Sequence, residues 1–331
     1  MQETFLAADG ITGIDTKMVG RYLVTSAYLV EADEPALIET GPQTSAEAVL
    51  RGLDRLGFGP RDLAHIVVTH VHLDHAGGAG TIAATFPNAT VWVSERGAPH
   101  LADPSRLVES TARAYGPERM REMFGIVEPI AAERLRSLAD GDTITLGTRR
   151  LEVLYTPGHA SHHVALHDGA TGAVFTGDAL GVHLPDVGVL RPATPPPDFD
   201  LELACQSIER IRTRGDLLLL SHFGPVAEVD HICEVATRRL IDWSHDVRSA
   251  LELDDDLDRI VGILERRGAV EYREDSGEPI DMERYDLLSS IRMNAIGMIR
   301  YWRKRAERAE RAARELSQVP LAVDPGRDQP S

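Results

Sequence analysis

The chain has 331 residues, 43% of them hydrophobic and 26% charged, with a formal net charge of -17. That is the make-up of a globular protein with ample core, and the charge disfavours nucleic-acid phosphates and anionic lipid as partners. No apolar run nears the roughly 20 residues of a membrane span. The start lacks the basic and apolar regions of a signal peptide, and two cysteines, Cys205 and Cys233, imply no disulfide framework, so the expected compartment is the cytoplasm.

Short β-type runs open the chain between residues 11 and 40, in ITGIDTKMV, TSAYLVEA and PALIET, punctuated by Gly and Pro. Residues 41–59, GPQTSAEAVLRGLDRLGFG, predict a helix, with Thr44 and Glu47 as a capping box and Gly57 as its stop. LAHIVVT, residues 63–69, is a continuous apolar strand of the kind buried on both faces. A polar stretch, His70 to His75, interrupts the pattern. AGTIAATF then reads as helix and TVWVS as strand. Residues 98–138 predict mainly helix, broken at Pro104, Pro117 and Pro129.

Strand signals return in TITLG, RLEVLYT, HVALHD and AVFTG, the last two joined by GATG as a hairpin. Residues 184–199 predict an extended loop stiffened by Pro192 and Pro195 to Pro197. A helix follows with Leu201, Ala204, Ile208 and Ile211 on one face, then a buried strand, DLLLLS. From about residue 230 helical spacing dominates, ending in a helix that carries Leu288, Ile291, Ala295, Met298 and Trp302. Its basic segment, residues 300–314, alternates with glutamates and reads as an exposed helix face. The expected organisation is a catalytic unit over 1–230, a helical region over 231–317 and a disordered tail over 318–331. Two βα-rich halves around a helical insert predict an α/β layered sandwich closed by C-terminal helices.

The polar residues that directly follow apolar strands carry the chemistry. HIVVT leads into His70, His72, Asp74 and His75; RLEVLYTPG leads into His159; AVFTG leads into Asp178; DLLLLS leads into His222. Four strands each deliver His or Asp at the C-terminal end. If those ends share one sheet edge, seven oxygen and nitrogen ligands converge there, with no cysteine among them. A four-coordinate Zn²⁺ site uses about three protein ligands and leaves a place for water. Two ions sharing one carboxylate use all seven. In extended chain, residues i and i+2 point the same way, so His70 and His72 grip one ion together with His159. Adjacent Asp74 and His75 reach a second ion where the chain turns into a helix, joined by His222. Asp178 bridges. Gly77 and Gly78 allow backbone to pass close by.

The set His70-x-His72-x-Asp74-His75, then PGH with His159, TGD with Asp178 and SHFG with His222, resembles the metallo-β-lactamase superfamily over roughly residues 10 to 230. The resemblance implies the four-layer αβ/βα sandwich with the metal site on its edge, here with a C-terminal helical extension. It is nearest to the glyoxalase II-like and lactonase-like hydrolases, since the antibiotic-degrading branch carries cysteine where Asp178 stands. PGHASHH resembles the PGHTPGH of the hydrolase branch, with His163 at its second histidine and His162 where glycine is usual. RPATPPP resembles a loop in a poorly characterised subgroup. In glyoxalase II-like enzymes a helical C-terminal region helps bind substrate; here the C-terminal helices are also a candidate homodimer surface.

The expected function is hydrolysis of a small ester, lactone or thioester. Two Zn²⁺ ions, with iron or a mixed pair as the other occupants, supply a bridging hydroxide that attacks the carbonyl, and Asp74 accepts the water's proton. His163 is a candidate for orienting a ligand. His183 and Arg191, in the segment after Asp178, are candidates for facing substrate. Two other readings stay open at this stage. One is iron-dependent oxygen or sulfur chemistry, as in mono-iron dioxygenases or di-iron oxygen-binding proteins, because N/O ligands suit both metals. The other is a phosphodiesterase, since a metal pair suits phosphoryl transfer.

Overall fold

A computed structural model describes residues 3–185, 188–276 and 286–317, so the expected disordered tail lies outside the described residues. Seven strands form the first sheet in chain order: β1 (Thr4–Ala8), β2 (Ile11–Asp15), β3 (Ser26–Val30), β4 (Ala36–Ile38), β5 (His65–Val67), β6 (Thr90–Ser94) and β7 (Leu135–Leu138). Pairing is antiparallel from β1 to β4 and parallel from β4 to β7. The second sheet takes β8 (Thr143–Leu146), β9 (Arg149–Tyr155), β10 (Val164–Asp168), β11 (Ala173–Gly177), β14 (Leu217–Leu220) and β15 (Gly224–Val226), in the order β15-β14-β11-β10-β9-β8. A separate hairpin pairs β12 (Val182–Leu184) with β13 (Val189–Arg191).

Strand periodicity explains the layers. Successive side chains alternate faces, and these strands are apolar on both. In β3, Ala27 and Leu29 face the helices outside the first sheet, while Tyr28 and Val30 face the second sheet. In β14, Leu219 faces the first sheet, while Leu218 and Leu220 face the outer helices. The continuous runs in the sequence are therefore sheets sandwiched by helices. The outer layer on the first sheet includes α1 (Ala46–Arg55) and α3 (Ala79–Thr85), with the short α2 (Leu73–Ala76) before α3. The outer layer on the second is α7 (Leu201–Arg212), α8 (Val229–Leu251), α9 (Leu257–Ser276) and α10 (Ile291–Ser317). Leu154, Val174 and Leu220 of the sheet share one core with Trp243, Leu264 and Met298 of these helices. Among the described residues no helix is long and apolar enough to cross a membrane.

Three local expectations change. Thr44 does not cap α1: its hydroxyl donates to the Met123 carbonyl at 2.8 Å, in a tight turn over Gln43–Ser45 that starts after Pro42, and Ser45 precedes the helix without a side-chain cap. The 98–138 stretch is helical only as far as α4 (Ala98–Ala102), α5 (Ser105–Tyr115) and α6 (Pro117–Phe124), and it ends in the edge strand β7. Only Leu138 of β7 is buried, so its short, half-polar run gives no periodic signal. The 184–199 loop begins as the β12–β13 hairpin before turning extended at its prolines.

The two sheets are stitched together at one edge. The Ser26 amide donates to the Ser221 carbonyl at 2.9 Å, and the Tyr28 hydroxyl donates to the Leu220 carbonyl at 2.5 Å. Those bonds set the end of β14 beside the end of β3, where the ligand-type side chains emerge.

Candidate metal centre

All seven predicted ligand side chains meet at this edge. His70, His72, Asp74 and His75 follow β5, with Asp74 and His75 in the single turn of α2. His159 follows β9, Asp178 follows β11 and His222 follows β14. Gly78 lets the chain return: a Cβ there would sit 3.0 Å from the Thr40 carbonyl oxygen. Gly177 has φ +51, and a Cβ would meet His163 Nε2 at 2.4 Å, so only glycine fits immediately before Asp178.

They form two groups. His72 Nδ1 lies 3.0 Å from His70 Nε2 and 2.9 Å from His159 Nε2. On the other side, His222 Nε2 lies 3.2 Å from His75 Nε2 and 3.5 Å from Asp74 Oδ2. Asp178 stands between: Oδ1 is 3.1 Å from His75 Nε2 and 3.3 Å from His222 Nε2, while Oδ2 is 3.5 Å from His159 Nε2. Asp178 Oδ1 is buried and takes no hydrogen bond among the described residues. Each group can offer three ligand atoms within 4.8 Å of one another. Two donors about 2.1 Å from one tetrahedral ion stand about 3.4 Å apart, near the upper end of the 2.9–3.5 Å spacings here. The donor set and the orphaned carboxylate oxygen both fit a bound metal pair.

The outward nitrogens of His70, His75, His159 and His222 each have a partner. His159 Nδ1 donates to the Ala193 carbonyl at 2.9 Å and His222 Nδ1 to the Val24 carbonyl at 3.1 Å. His70 Nδ1 lies 3.0 Å from the Thr69 hydroxyl, which donates in turn to Glu39 Oε1 at 2.5 Å. Glu39 Oε1 is also 3.4 Å from His75 Nδ1. Such partners fix the ring orientation and raise ligand basicity. Glu39 was not singled out from the sequence, although its signal was present. The run ALIE ends an apolar strand in an acid, the same pattern that marked Asp178. Glu39 is buried and holds φ +66, an uncommon backbone state for a residue with a side chain.

The expected second-rank residues separate. His163 is fully buried; its Nε2 accepts from the Asp178 amide at 3.0 Å and its Nδ1 is 2.8 Å from the Thr156 hydroxyl. It therefore holds the Asp178 backbone. His183 is half-buried, and its amide donates to the His222 carbonyl at 2.6 Å. Arg191 is wholly buried and faces neither substrate nor solvent: it donates to the Tyr272 hydroxyl at 2.6 Å, to Asp286 at 2.9 Å and to the Ser289 carbonyl at 2.8 Å. The β12–β13 hairpin turns it away from the metal centre toward the C-terminal helices.

Asn294 ties those helices to the loop that orients His159. Asn294 of α10 accepts from the Thr194 amide at 2.7 Å and donates to the Pro192 carbonyl at 2.8 Å, gripping both sides of Ala193, whose carbonyl orients His159.

Charge differs between the groups. Burial, and the like charge of neighbouring histidines, hold His70 and His72 well below their ordinary value, leaving neutral imidazoles with lone pairs to offer. Burial also opposes charge on His75 and His222, but Asp178 and Asp74 overcome it, raising His75 well above its usual range and His222 to about 9. Burial works against an ionised Asp74 too, yet His75 and His222 hold it down to about 2. The second group thus stabilises positive charge in its midst.

A cavity of about 380 Å³ opens over His72, Asp74, His159 and Asp178. The sequence profile of the metallo-beta-lactamase superfamily matches residues 20–222. The chain belongs to that superfamily. It is 31% identical over 135 residues to a hydroxyacylglutathione hydrolase of Gloeobacter violaceus, a match covering 41% of this chain and 40% of that one. It is 36% identical over 128 residues to acyl-coenzyme A thioesterase MBLAC2 of Gallus gallus, covering 38% and 44%. The chain thus spans less than half the length of these two relatives. An archaeal metallo-beta-lactamase superfamily protein of Sulfolobus tokodaii has the same fold, with TM-score 0.60 and 23% identity over 81% of this chain and 99% of that one.

Proposed function

We infer that the chain is a dinuclear metallohydrolase of small carbonyl compounds, an ester, lactone or thioester. His70, His72 and His159 would hold one ion and Asp74, His75 and His222 the other, with the Asp178 carboxylate available to both. The observation that carries this reading is the Asp178 carboxylate, with one oxygen toward each histidine group and its buried Oδ1 left without a hydrogen bond. The relatives named as hydrolase and thioesterase support the substrate class.

Bound metal ions would supply a water whose pKa is lowered to about 7 and a Lewis acid for the carbonyl oxygen. The rest falls to the chain. Asp74 is ionised, partly open to the cavity and fixed beside His222, so it accepts a hydrogen bond from the attacking water and takes its proton only in passing, releasing it to solvent. Glu39 and the Ala193 carbonyl keep His75 and His159 in register. His163 holds the Asp178 amide and with it the bridge. The 1–230 sandwich is the catalytic unit, and the 231–317 helices support it through Asn294 and the proline loop.

Metal analysis of protein purified without added metal, with a screen of p-nitrophenyl esters, lactones, acyl thioesters and bis-p-nitrophenyl phosphate, tests the reading. Two zinc ions per chain and carbonyl turnover are expected. Near-stoichiometric iron with a visible band and no carbonyl turnover would overturn it.

A further inference from the structure

The cavity over the metal centre has two chemically different ends. On the His72 side stand Arg96, His100 and His162; the His162 ring is 5.5 Å from His72 and 6.5 Å from His100. On the Asp74 side stand Leu73, Tyr115, Phe124 and Leu288, which belong to one apolar cluster. Helix α5 joins the ends. Its first turn, with Arg106 and Leu107, follows α4, which carries His100; its last residue, Tyr115, packs edge-on to Phe124 at 5.6 Å.

Two features of this wall suit a ligand. First, α5 carries Leu107, Val108, Ala112 and Tyr115 at helical spacing, partly buried against Met120, Met123 and Phe124, and Leu107, Ala114 and Tyr115 also border the cavity, so this helix supplies part of its apolar lining. Second, neither Arg96 nor Arg106 makes an ion pair or hydrogen bond among the described residues. Of the nearby acids, Asp103 accepts from the Ser105 hydroxyl at 2.6 Å and feels the Arg106 charge without bonding to it, and Asp198 accepts from the Ser161 hydroxyl at 2.5 Å. In a chain of net charge -17, two guanidiniums in the wall of this cavity with no bonded carboxylate among the described residues lessen the repulsion an anion would meet. Their planar forks suit phosphate and carboxylate alike.

We propose that the cavity takes anionic amphiphiles: an apolar chain lies along Leu107, Tyr115, Phe124 and Met293, and a phosphate or carboxylate is held by Arg96 and Arg106, with the scissile carbonyl between them. This rests on the hydrolase reading, and it adds the substrate's charge, its apolar end and the direction in which it lies.

Three non-hydrolysable thioethers test it by calorimetry on the metal-loaded full chain: S-octyl-coenzyme A, S-octyl-glutathione and the neutral S-octyl-N-acetylcysteamine. At low salt at least one anionic thioether binds about tenfold or more tightly than the neutral one. That advantage disappears in the Arg96→Ala/Arg106→Ala double variant and shrinks in about 0.5 M NaCl, while the neutral probe is unaffected by the double variant and weakened by Leu107→Ser. The anion that gains identifies the phosphate or the carboxylate as the group read. Equal binding of all three probes, or equal loss of all three in the double variant, overturns the proposal. Since no bond is cleaved, the hydrolase reading is judged separately. The charge preference without turnover of the matching octanoyl thioesters would remove that reading and leave the binding site standing. Turnover with no charge preference would do the reverse.

Discussion

Replacing Glu39 with Ala strikes the metal centre from behind. Glu39 Oε1 accepts from the Thr69 hydroxyl at 2.5 Å and from the Ser221 hydroxyl at 3.3 Å, and lies 3.4 Å from His75 Nδ1. Alanine removes all three partners, leaves φ +66 in place, and so adds no relief of backbone strain to confuse the result. Loss of such a partner costs roughly 10- to 100-fold in metal affinity, or about 1.4–2.8 kcal/mol. His75 belongs to the Asp74–His222 group, so the loss falls chiefly on that ion. Stripping the variant with graded chelator therefore releases one metal at 10- to 100-fold lower chelator strength, and the second near the wild-type point. Glu39→Gln keeps an acceptor oxygen and the side-chain volume, and its loss is smaller. Thermal melts of metal-free protein control for folding, because two buried hydroxyls also lose their acceptor at about 1–3 kcal/mol each. Two metals released from Glu39→Ala at wild-type chelator strength would refute the reasoning.

Asp178→Ala removes the carboxylate shared by both groups; metal content falls below two per chain and turnover drops roughly a thousandfold, and full activity with full metal would falsify the assignment. Asn294→Ala frees the Thr194 amide beside Ala193 and leaves the Pro192 carbonyl to the Ser289 hydroxyl alone, so an ion held by His70, His72 and His159 weakens about tenfold although the substitution lies in the last helix; titration with a metal indicator reads this, and unchanged affinity would mean the loop holds His159 unaided. Asp168→Ala breaks a buried two-pronged bond from Arg149, with Nε at 3.0 Å and Nη2 at 2.6 Å, and lowers stability in urea by about 3 kcal/mol with metal content intact. Burial alone would raise the Asp168 carboxyl, but the Arg149 and Thr171 hydrogen bonds outweigh it and hold it below the usual range. That contribution is fully present above its ordinary value near 3.9 and is lost as pH falls through the depressed one. The variant therefore loses stability less steeply than the wild type on acidification below about pH 4; parallel acid curves would count against the bond.

Much of the site was legible because each ligand directly follows an apolar run. A strand buried on both faces announces itself by continuous Val, Ile and Leu, and a histidine or aspartate at its end then stands out. Glu39 obeys the same rule at the end of the PALIET run, but it is a lone acid there, without the histidines that mark the stretch after β5. Thr69 and the Ala193 carbonyl carry no such mark, since a hydroxyl or a carbonyl becomes a ligand's partner only through where the chain places it. Strand β7 escaped because Leu135 to Leu138 buries one side chain, and the Thr44–Glu47 pair misled because a capping pattern counts only where the helix starts in register with it.

The sequence by itself determined which side chains gather at the candidate metal centre: residue type and strand-end position are local, and the pleat and the α2 turn convert them into direction. Tertiary structure decided everything that depends on two distant segments touching. It supplied the distances of 2.9–3.5 Å that bring His159, Asp178 and His222 to the residues after β5, a grouping the sequence could only expect. It carried Arg191 into the helical layer rather than toward the cavity, and put Arg96 and Arg106 at one end of a cavity whose other end is apolar. Those are facts of separation in space between residues up to two hundred positions apart in the chain, and no local pattern encodes them.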